Sequence, residues 1–492
     1  MKETDTGYNV IVLVFDTLRP DFLSCYSDSA IETEHFDSVA ENGVMFENAF
    51  AVGPGTPISH GGIFTGQYPS NSGITGQYIN LPQNNPTIAE WFQQHGYSTA
   101  GIAGPSKISS DFGYDRGFDD YFEPYYDIGY KDHKPTVDYI KNILTDVEIF
   151  KDAYRTAING EGKFTRFKFD RLARKARRAD EPFFGFANLL EAHTPYYPPH
   201  GYREQFDPEF TEPLHFVLEL LFDRQGTHGN DDVDIEKIKG LQTGDGIGRF
   251  LADPEFANGT ELEIMKRWYN ASIKYLDEEL GRFLKYYRTH LSEDTYLVIT
   301  ADHGEQFGEH GLIGHSHYLF DETVQIPLFI NGPELPSGTA VEDLASLTDL
   351  YPTLSNLAGI DVPEFTDGSC LFEGSLRDHV VMEHGERDIS DFETTAHGRH
   401  LSEEQLSQFA AGRKAIRTTE HKLVVDSRGE RTLYDVTTTP ETSIQDEARA
   451  EQLHTELQDQ LSMEYGQWPE GDPSDFDLNR DVVDNLESLG YI

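Results

Sequence analysis

Acidic and imidazole side chains follow several apolar runs of this 492-residue chain. Asp16 ends the run "NVIVLVFD", Asp302 and His303 end "TYLVITADHG", and His193 follows "PFFGFANLL". Carboxylate oxygens and imidazole nitrogens are ligands of divalent metal ions. If these runs are strands of one parallel sheet, their carboxyl ends meet at one edge and bring the four side chains together. The pattern therefore predicts a metal-assisted site.

Each of these residues also has an ordinary structural explanation. An aspartate that follows a strand is commonly a turn or helix-capping residue. The stretch "DHGEQFGEHG" can be a polar loop, and His193 can pack against the prolines that follow it in "EAHTPYYPP". The combination of all of them at successive strand ends favours a shared site.

A fourth strand-like run, "VMFENAFAV", leads into residues 52–70, "VGPGTPISHGGIFTGQYPS", which contain no Lys or Arg. Gly and Pro at this density break regular structure. We therefore predict an irregular, tightly turning segment that brings hydroxyl groups to the same edge of the sheet.

The elements that must position these residues alternate along the chain. Short β-branched runs read as strands buried on both faces, and residues 87–96 and 261–287 read as helices, so the prediction is an α/β fold with a mostly parallel central sheet. Beyond about residue 365, the stretches 415–426 and 431–436 flank "SRGE" and predict an antiparallel hairpin. We predict a catalytic domain at 1–365, with an insertion at about 115–180, and a smaller α+β domain at 366–492.

Composition limits the partners and the compartment. Asp and Glu number 86 against 39 Lys and Arg, a formal net charge of −47, which argues against nucleic acid or an anionic membrane as a general partner. A solvated acidic surface of this kind predicts adaptation to concentrated salt. The two cysteines, Cys25 and Cys370, predict neither a disulfide framework nor a thiolate metal site. The N-terminal apolar run, residues 10–15, is too short for a signal peptide or membrane span, so we predict a cytoplasmic protein.

One segment departs from this acidic character. Residues 166–178, "RFKFDRLARKARR", carry seven basic side chains and one acidic one. On a helix, Phe169, Leu172, Ala173 and Ala176 form an apolar stripe, from which Phe167 is displaced. Such a helix can lie on an anionic membrane or bind an anionic chain. The alternative is a surface helix paired with the protein's own acids.

Beyond these individual residues, the chain resembles the sulfatase family of the alkaline phosphatase superfamily. The resemblance covers nearly the whole chain, in the family's order, and is carried by the phrases "NVIVLVFDTLRPDFLSCY", "TPISHGGIFTGQYP", "PFFGFANLLEAHTPYYPP", "YNASIKYLDEELGRF", "TADHGEQFGEHG", "HYLFDETVQIPLFI", "SLTDLYPTLSNLAGI", "TLYDVTTTPE" and "LESLGYI". It implies a central sheet with helices on both faces and a metal-dependent hydrolase or transferase.

The resemblance also implies a nucleophile nine residues before Thr65, which is Thr56. Formylglycine sulfatases place Cys or Ser there, within Cys/Ser-x-Pro-x-Arg, whereas this chain has Thr56, Ile58 and His60. A threonine cannot be oxidised to the formylglycine aldehyde. The segment is closer to the Thr-x-x-Asn-His of nucleotide pyrophosphatases/phosphodiesterases, and the superfamily's phosphoglycerol and phosphoethanolamine transferases also use threonine.

By the same resemblance, Asp16, Asp302, His303 and the Thr56 oxygen hold one divalent metal ion. Mostly oxygen ligands favour Ca²⁺, Mg²⁺ or Mn²⁺, and Zn²⁺ stays open. Many sulfatases have a second metal-binding Asp where this chain has Thr17, and two-metal phosphodiesterases have an Asp where it has Leu189, so a complete second metal site is not visible.

The remaining histidines supply the other predicted roles. His60, His193, His315 and His317 are the candidate substrate-binding residues, and His193 or His315 is the candidate proton donor to the leaving group.

Three hypotheses about function follow. The first is a hydrolase or transferase that acts through Thr56 on a phosphate mono- or diester, on a glycan, a lipid or another carrier. The second is a sulfuric ester hydrolase that works without formylglycine. The third is a catalytically inactive, sulfatase-like binding protein. The natural substrate and the oligomeric state stay open.

Overall fold

The computed structural model describes residues 7–76, 78–123, 130–131, 134–135, 165–196, 198–206, 235–315, 317–374 and 377–461. Most of the predicted insertion at 115–180, and the C-terminal residues 462–492 with "LESLGYI", lie outside these residues. Within the described residues, Cys25 and Cys370 are free thiols. No helix there is long and apolar enough to cross a bilayer.

The strands, in chain order, are β1 (Asn9–Phe15), β2 (Val44–Phe50), β3 (Ser98–Ile102), β4 (Asp120–Phe122), β5 (Tyr130–Lys131), β6 (Lys134–Pro135), β7 (Phe183–Leu189), β8 (Thr295–Ala301), β9 (Gln306–Phe307), β10 (Ile313–Gly314), β11 (Gln325–Asn331), β12 (Thr339–Ser346), β13 (Val380–His384), β14 (Arg413–Arg417), β15 (His421–Asp426), β16 (Arg431–Asp435) and β17 (Thr442–Ile444).

The helices are α1 (Glu34–Glu41), α2 (Thr56–Thr65), α3 (Pro69–Ser72), α4 (Ile88–Gln94), α5 (Thr165–Arg178), α6 (His200–Phe206), α7 (Ile235–Leu241), α8 (Gly244–Ala252), α9 (Gly259–His290), α10 (Asp321–Val324), α11 (Leu350–Ala358), α12 (Ile389–Thr394), α13 (Glu403–Ala410) and α14 (Glu447–Gln460).

Eight strands form the central sheet in the order β12-β2-β11-β8-β1-β7-β3-β4. All neighbours pair in parallel except β11, which is antiparallel to both β2 and β8. The central strands β1, β7 and β8 are buried on both faces, as their continuous apolar runs predict. This confirms the predicted α/β class with a mostly parallel sheet.

Strand β7 shows that helices cover both faces of the sheet. On one face, Phe184 stacks on Phe92 of α4 at 4.5 Å between ring centroids, and Phe186 meets Phe64 of α2 at 5.0 Å. On the other face, a Cβ at Gly185 would lie 2.9 Å from Leu172 of α5, so only glycine fits at this close approach. The two faces of one strand therefore position α2 and α5 on opposite sides.

The basic segment forms α5, and its apolar stripe is part of the protein core. Phe167 is buried as well, although the helical pattern displaces it from the stripe. Two cations of the exposed face, Arg171 and Lys175, form ion pairs with Asp120 of β4 at 2.9 and 2.7 Å. These contacts are those of a surface helix paired with the protein's own acids.

The segment predicted to be irregular instead contains a helix, α2, in which every residue from Thr56 to Thr65 is buried. Pro57 lies in the first turn, where a missing N–H costs no hydrogen bond. The glycines permit close packing, since a Cβ at Gly61 would lie 2.7 Å from Ile74. Gly66 ends the helix with φ +67°, a conformation that glycine adopts without strain. The prediction of irregular structure was therefore wrong for these ten residues.

The C-terminal residues form an antiparallel sheet in the order β13-β14-β15-β16-β17. The stretch 415–426 is not one strand, because residues 418–420 turn between β14 and β15. Helix α14 covers this sheet, with Leu453 and Leu457 packed in one cluster with Ile416 and Leu423. An antiparallel C-terminal sheet is thus confirmed, while the boundary at 365/366 stays a prediction.

Candidate active site

Asp16, Asp302 and His303 meet at the carboxyl ends of the adjacent strands β1 and β8, and one ligand atom from each lies within 4.8 Å of the others. His303 Nε2 lies 3.8 Å from Asp16 Oδ1 and 3.6 Å from Asp302 Oδ2. All three side chains are fully buried. The parallel pairing of β1 with β8 in register, Phe15 opposite Ala301, causes this convergence.

The tautomer of His303 suits a ligand role. Its Nδ1–H donates to the carbonyl oxygen of Gly304 at 2.9 Å, so Nε2 is the ring nitrogen that faces the two carboxylates and that a neutral imidazole would offer to a metal ion. A metal-binding imidazole commonly has its second nitrogen fixed in this way.

The backbone around Asp302 holds the carboxylate in place but does not neutralise it. The backbone N–H groups of Thr17 and His303 donate to Asp302 Oδ1 at 3.2 and 2.9 Å. Burial nevertheless raises the pKa of Asp302 to about 7. A cation between Asp16 and Asp302 would offset both this desolvation and the mutual repulsion of the carboxylates. The donor set of two carboxylates and one imidazole therefore fits a divalent metal ion.

Thr17 contributes to this arrangement through its backbone. Its φ of 61° is unusual for a β-branched residue, and it directs the amide towards Asp302. Its hydroxyl donates to the carbonyl oxygen of Ala192 at 2.6 Å. That hydroxyl is therefore engaged with the backbone that follows β7.

Thr56 lies in the first turn of α2 and is 5% exposed. Its Oγ1 lies 3.2 Å from His303 Nε2, so the hydroxyl belongs to the same cluster as the candidate metal ligands. The amino end of a helix carries partial positive charge, which favours an anion bound next to Thr56.

His60 and Asn188 support the cluster from inside the protein. His60 Nδ1–H donates to the carbonyl oxygen of Thr56 at 2.9 Å, and its Nε2 accepts from Asn188 Nδ2 at 3.2 Å. The same Asn188 nitrogen lies 3.4 Å from Asp16 Oδ2. Burial lowers the pKa of His60 to about 3. Both ring nitrogens are engaged within the protein, and substrate binding by His60 stays a prediction that this geometry does not favour.

His193 and His315 lie beside the cluster. The ring centroids of His315 and His303 are 4.4 Å apart, and those of His315 and His193 are 5.2 Å apart. Glu305 Oε1 accepts the Nδ1 proton of His315 at 3.0 Å. Burial and the nearby His303 and Lys107 lower the pKa of His315 well below its usual value. The two predicted acid–base candidates are therefore neighbours of the predicted metal ligands.

His317 lies in a different environment from its neighbour in sequence, His315. Its ring is 5.4 Å from that of His397 and packs against Phe392 and Phe409, all from the segment that follows β13. His317 thus lies against the segment between β13 and β14, and its predicted role in substrate binding would apply to a substrate that extends to that segment.

Sequence reasoning missed Asn188, Glu305 and Lys107. Lys107 lies in the short helical turn Ser106–Ile108 that follows β3, so its place in the loop after a strand was an available signal. Burial and the charge of Arg387 together lower the pKa of Lys107 to about 7, although the charge of Asp16 opposes both. A cationic side chain thus lies within electrostatic range of a candidate metal ligand.

Comparison with known proteins agrees with this fold. The sequence model of the family described as Sulfatase matches residues 8–360. The uncharacterized sulfatase YidJ of Escherichia coli K12 is 26% identical over 395 residues, which cover 77% of this chain and 74% of that protein.

Two solved structures extend the likeness to the fold. One is a protein solved in complex with its substrate, D-glucosamine-2-N,6-O-disulfate. Its TM-score is 0.67 at 19% identity, and the match covers 98% of this chain and 99% of that one. The phosphonate monoester hydrolase of Agrobacterium radiobacter has a TM-score of 0.66 at 21% identity, with coverage of 92% and 96%.

Proposed function

Because this chain belongs to the sulfatase family, and is thus a hydrolase of the alkaline phosphatase superfamily, we propose that it cleaves phosphate mono- or diesters with Thr56 as the nucleophile. The observation that carries the proposal is the distance of 3.2 Å between Thr56 Oγ1 and His303 Nε2, next to two buried carboxylates. A threonine offers a hydroxyl group and cannot become an aldehyde hydrate, which is the nucleophile of formylglycine sulfatases.

Asp16, Asp302, His303 and the Thr56 oxygen would hold the metal ion. When bound, a divalent cation supplies positive charge that favours ionisation of the Thr56 hydroxyl and attracts the oxygens of the ester. The residues of the chain then have separate tasks. The amino end of α2 and Lys107 attract the anionic ester, and Asn188 holds Asp16 and His60 in position.

The reaction proceeds in two steps. In the first, the Thr56 hydroxyl loses its proton to solvent and its oxygen forms a bond to phosphorus as the bond to the leaving oxygen breaks. A protonated His193 or His315 donates a proton to that leaving oxygen. In the second, water attacks the phosphothreonine, releases inorganic phosphate or a phosphate monoester, and restores the hydroxyl. An acceptor alcohol in place of water would give the transferase reaction.

A paired substrate panel tests the proposal. Metal-stripped protein at high salt is given Ca²⁺, Mg²⁺, Mn²⁺ or Zn²⁺ in turn, and is then assayed with 4-nitrophenyl phosphate, bis(4-nitrophenyl) phosphate and 4-nitrophenyl sulfate. We expect turnover of at least one phosphoester. Sulfate turnover alone would favour the alternative of a sulfatase without formylglycine, and turnover of none would favour a binding protein.

Variants of Thr56 identify the nucleophile. Thr56→Ala should lower turnover by orders of magnitude, and Thr56→Ser should keep part of it. Thr65→Ala is the matched control, because it removes a hydroxyl at the other end of the same helix, where Oγ1 donates to Gly61. Full turnover by Thr56→Ala would instead point to direct attack by water.

A further inference from the structure

The C-terminal sheet approaches the amino end of α2. The N–H of Glu383 in β13 donates to the carbonyl oxygen of Val52 at 2.8 Å. A Cβ at Gly76 would lie 3.2 Å from Ile58 of α2 and 3.9 Å from Nε2 of His384. Gly76 therefore lies between His384, at the end of β13, and Ile58 in the helix that begins at Thr56.

Arg387 lies just beyond β13 in a fixed position. Its Nη2 is 3.5 Å from His384 Nε2, and its guanidinium lies 5.3 Å from the centre of the Phe392 ring. Burial and the neighbouring Arg413 lower the pKa of Arg387 to about 10. A partly buried guanidinium held against a ring is a planar donor group that suits carboxylate or phosphate oxygens.

More basic groups surround this guanidinium. His397 and His317 are both buried, with their rings 5.4 Å apart. Neither ring nitrogen of His317, which is 4% exposed, makes a hydrogen bond within the described residues. Burial and the nearby Arg387 lower the pKa of both histidines, that of His397 to about 3, so the two rings are neutral hydrogen-bonding groups at the segment that carries the guanidinium.

The acids on the same segment are engaged in other interactions. Glu383 forms a 3.0 Å ion pair with Lys414 and accepts from Ser70. Glu386 accepts from Ser427, and the exposed Asp388 caps α12. In a chain with a formal net charge of −47, a partly buried guanidinium with imidazole rings in the same segment, beyond the strand that approaches α2, is an exception that suggests an anionic ligand.

We propose that Arg387, together with His384 and His397, binds a second anionic group on the leaving-group portion of the substrate, so that the enzyme prefers doubly anionic esters. This inference rests on the proposed function, because the ester at Thr56 provides the first point of attachment. The first anion lies at the amino end of α2 near Lys107, and the second lies towards the C-terminal sheet.

Non-hydrolysable ligands test the subsite without turnover. Metal-loaded protein is titrated calorimetrically with 3-phosphonopropionate, 4-phosphonobutyrate and 5-phosphonopentanoate, and with the neutral carboxamide of each. For at least one chain length, the carboxylate should bind about ten- to a hundredfold more tightly, which is the contribution of a hydrogen bond between charged groups. Arg387→Gln should abolish this preference and leave the affinity for the carboxamide within about twofold.

Two controls keep the result specific. Arg431→Gln removes an exposed arginine of the same sheet, paired with Glu451, and should leave the preference intact. Arg387→Lys keeps the charge and should retain part of it. Equal affinity for acid and amide at every length, a preference that survives Arg387→Gln, or no binding by any ligand would overturn the subsite. Failure of the proposed function would appear separately, as absence of phosphoester turnover in the substrate panel.

Discussion

Glu305 accepts the Nδ1 proton of His315 with one carboxylate oxygen, at 3.0 Å, and the hydroxyl proton of Tyr196 with the other, at 3.1 Å. The carboxylate is fully buried, and these two contacts hold it in position. The pair holds the His315 ring with Nε2 away from Glu305. Glu305 thus acts as a positioning residue for His315.

The Glu305–His315 contact predicts a selective kinetic effect. Glu305→Ala should lower kcat for a phosphoester about 10- to 100-fold with little change in KM, because the imidazole loses its orientation. Glu305→Gln keeps an acceptor oxygen for His315 and should restore much of the rate. If the negative charge of Glu305 were what mattered, this variant would be as slow as Glu305→Ala. Steady-state kinetics measure both, with the exposed Glu293→Gln as control. Unchanged kcat in Glu305→Ala would contradict the positioning role.

The buried carboxylates predict opposite effects of Asp302→Asn with and without metal. In chelator, the variant should melt at a higher temperature than the natural protein, because it removes one of two buried carboxylates that repel each other. With added Ca²⁺, Mg²⁺ or Mn²⁺, the natural protein should gain more stability, by about 2.7 kcal/mol at a hundred times the Kd. Calorimetric melting with and without each metal measures whether the order of the two melting temperatures reverses when metal is added.

The control for the metal experiment is Asp343→Asn, an exposed aspartate on β12, which should respond to metal as the natural protein does. Identical metal responses in Asp302→Asn and the natural protein would contradict the metal site.

The acidic composition predicts a dependence of stability on salt. A net charge of −47 produces self-repulsion that screening reduces, as the Debye length falls from about 10 Å at 0.1 M salt to about 3 Å at 1 M. The melting temperature should therefore rise between 0.1 and 2 M KCl. Sucrose at matched osmolality is the control for solute exclusion. A flat or falling melting temperature would remove the prediction of salt adaptation.

Much of the central sheet could be predicted from the sequence, because its strands are buried on both faces and appear as apolar runs. The meeting of Asp16 with Asp302 follows from parallel pairing alone. Helix α2 could not be predicted in this way, because its stability depends on the close packing of Gly61 and Gly62 against Ile74 and Val52, which local propensity does not register.

Long-range packing explains the other residues that were missed. Asn188 lies within an apolar strand, and only the position of α2 directs its amide to His60 and Asp16. Arg387 lies far from the other site residues along the chain, and the docking of the C-terminal sheet brings it near Lys107. The turn at 418–420 carries no Gly or Pro, so β14 and β15 appeared as one strand.

The last prediction concerns the ion pairs between the C-terminal sheet and α10, the helix that directly precedes β11 of the central sheet. Lys422 of β15 is buried, and its Nζ lies 2.9 Å from Asp321 Oδ1 of α10 and 2.6 Å from Glu441 Oε2. Lys422→Met should destabilise the protein by about 3–5 kcal/mol, because Glu441 must then remain buried as a charge without its cation or take up a proton. Asp321 keeps Arg417, at 2.9 Å. Burial already raises the pKa of Glu441 to about 7.

A double variant separates lost charge balance from lost packing. Lys422→Met combined with Glu441→Gln removes both charges and should recover most of the stability, whereas a packing defect at Lys422 would persist in it. Lys285→Met, at an exposed position on α9, should change stability by less than about 0.5 kcal/mol. Urea unfolding at constant high salt measures all three variants. A double variant no more stable than Lys422→Met would show that the long side chain of Lys422, and not its charge, holds the two sheets together.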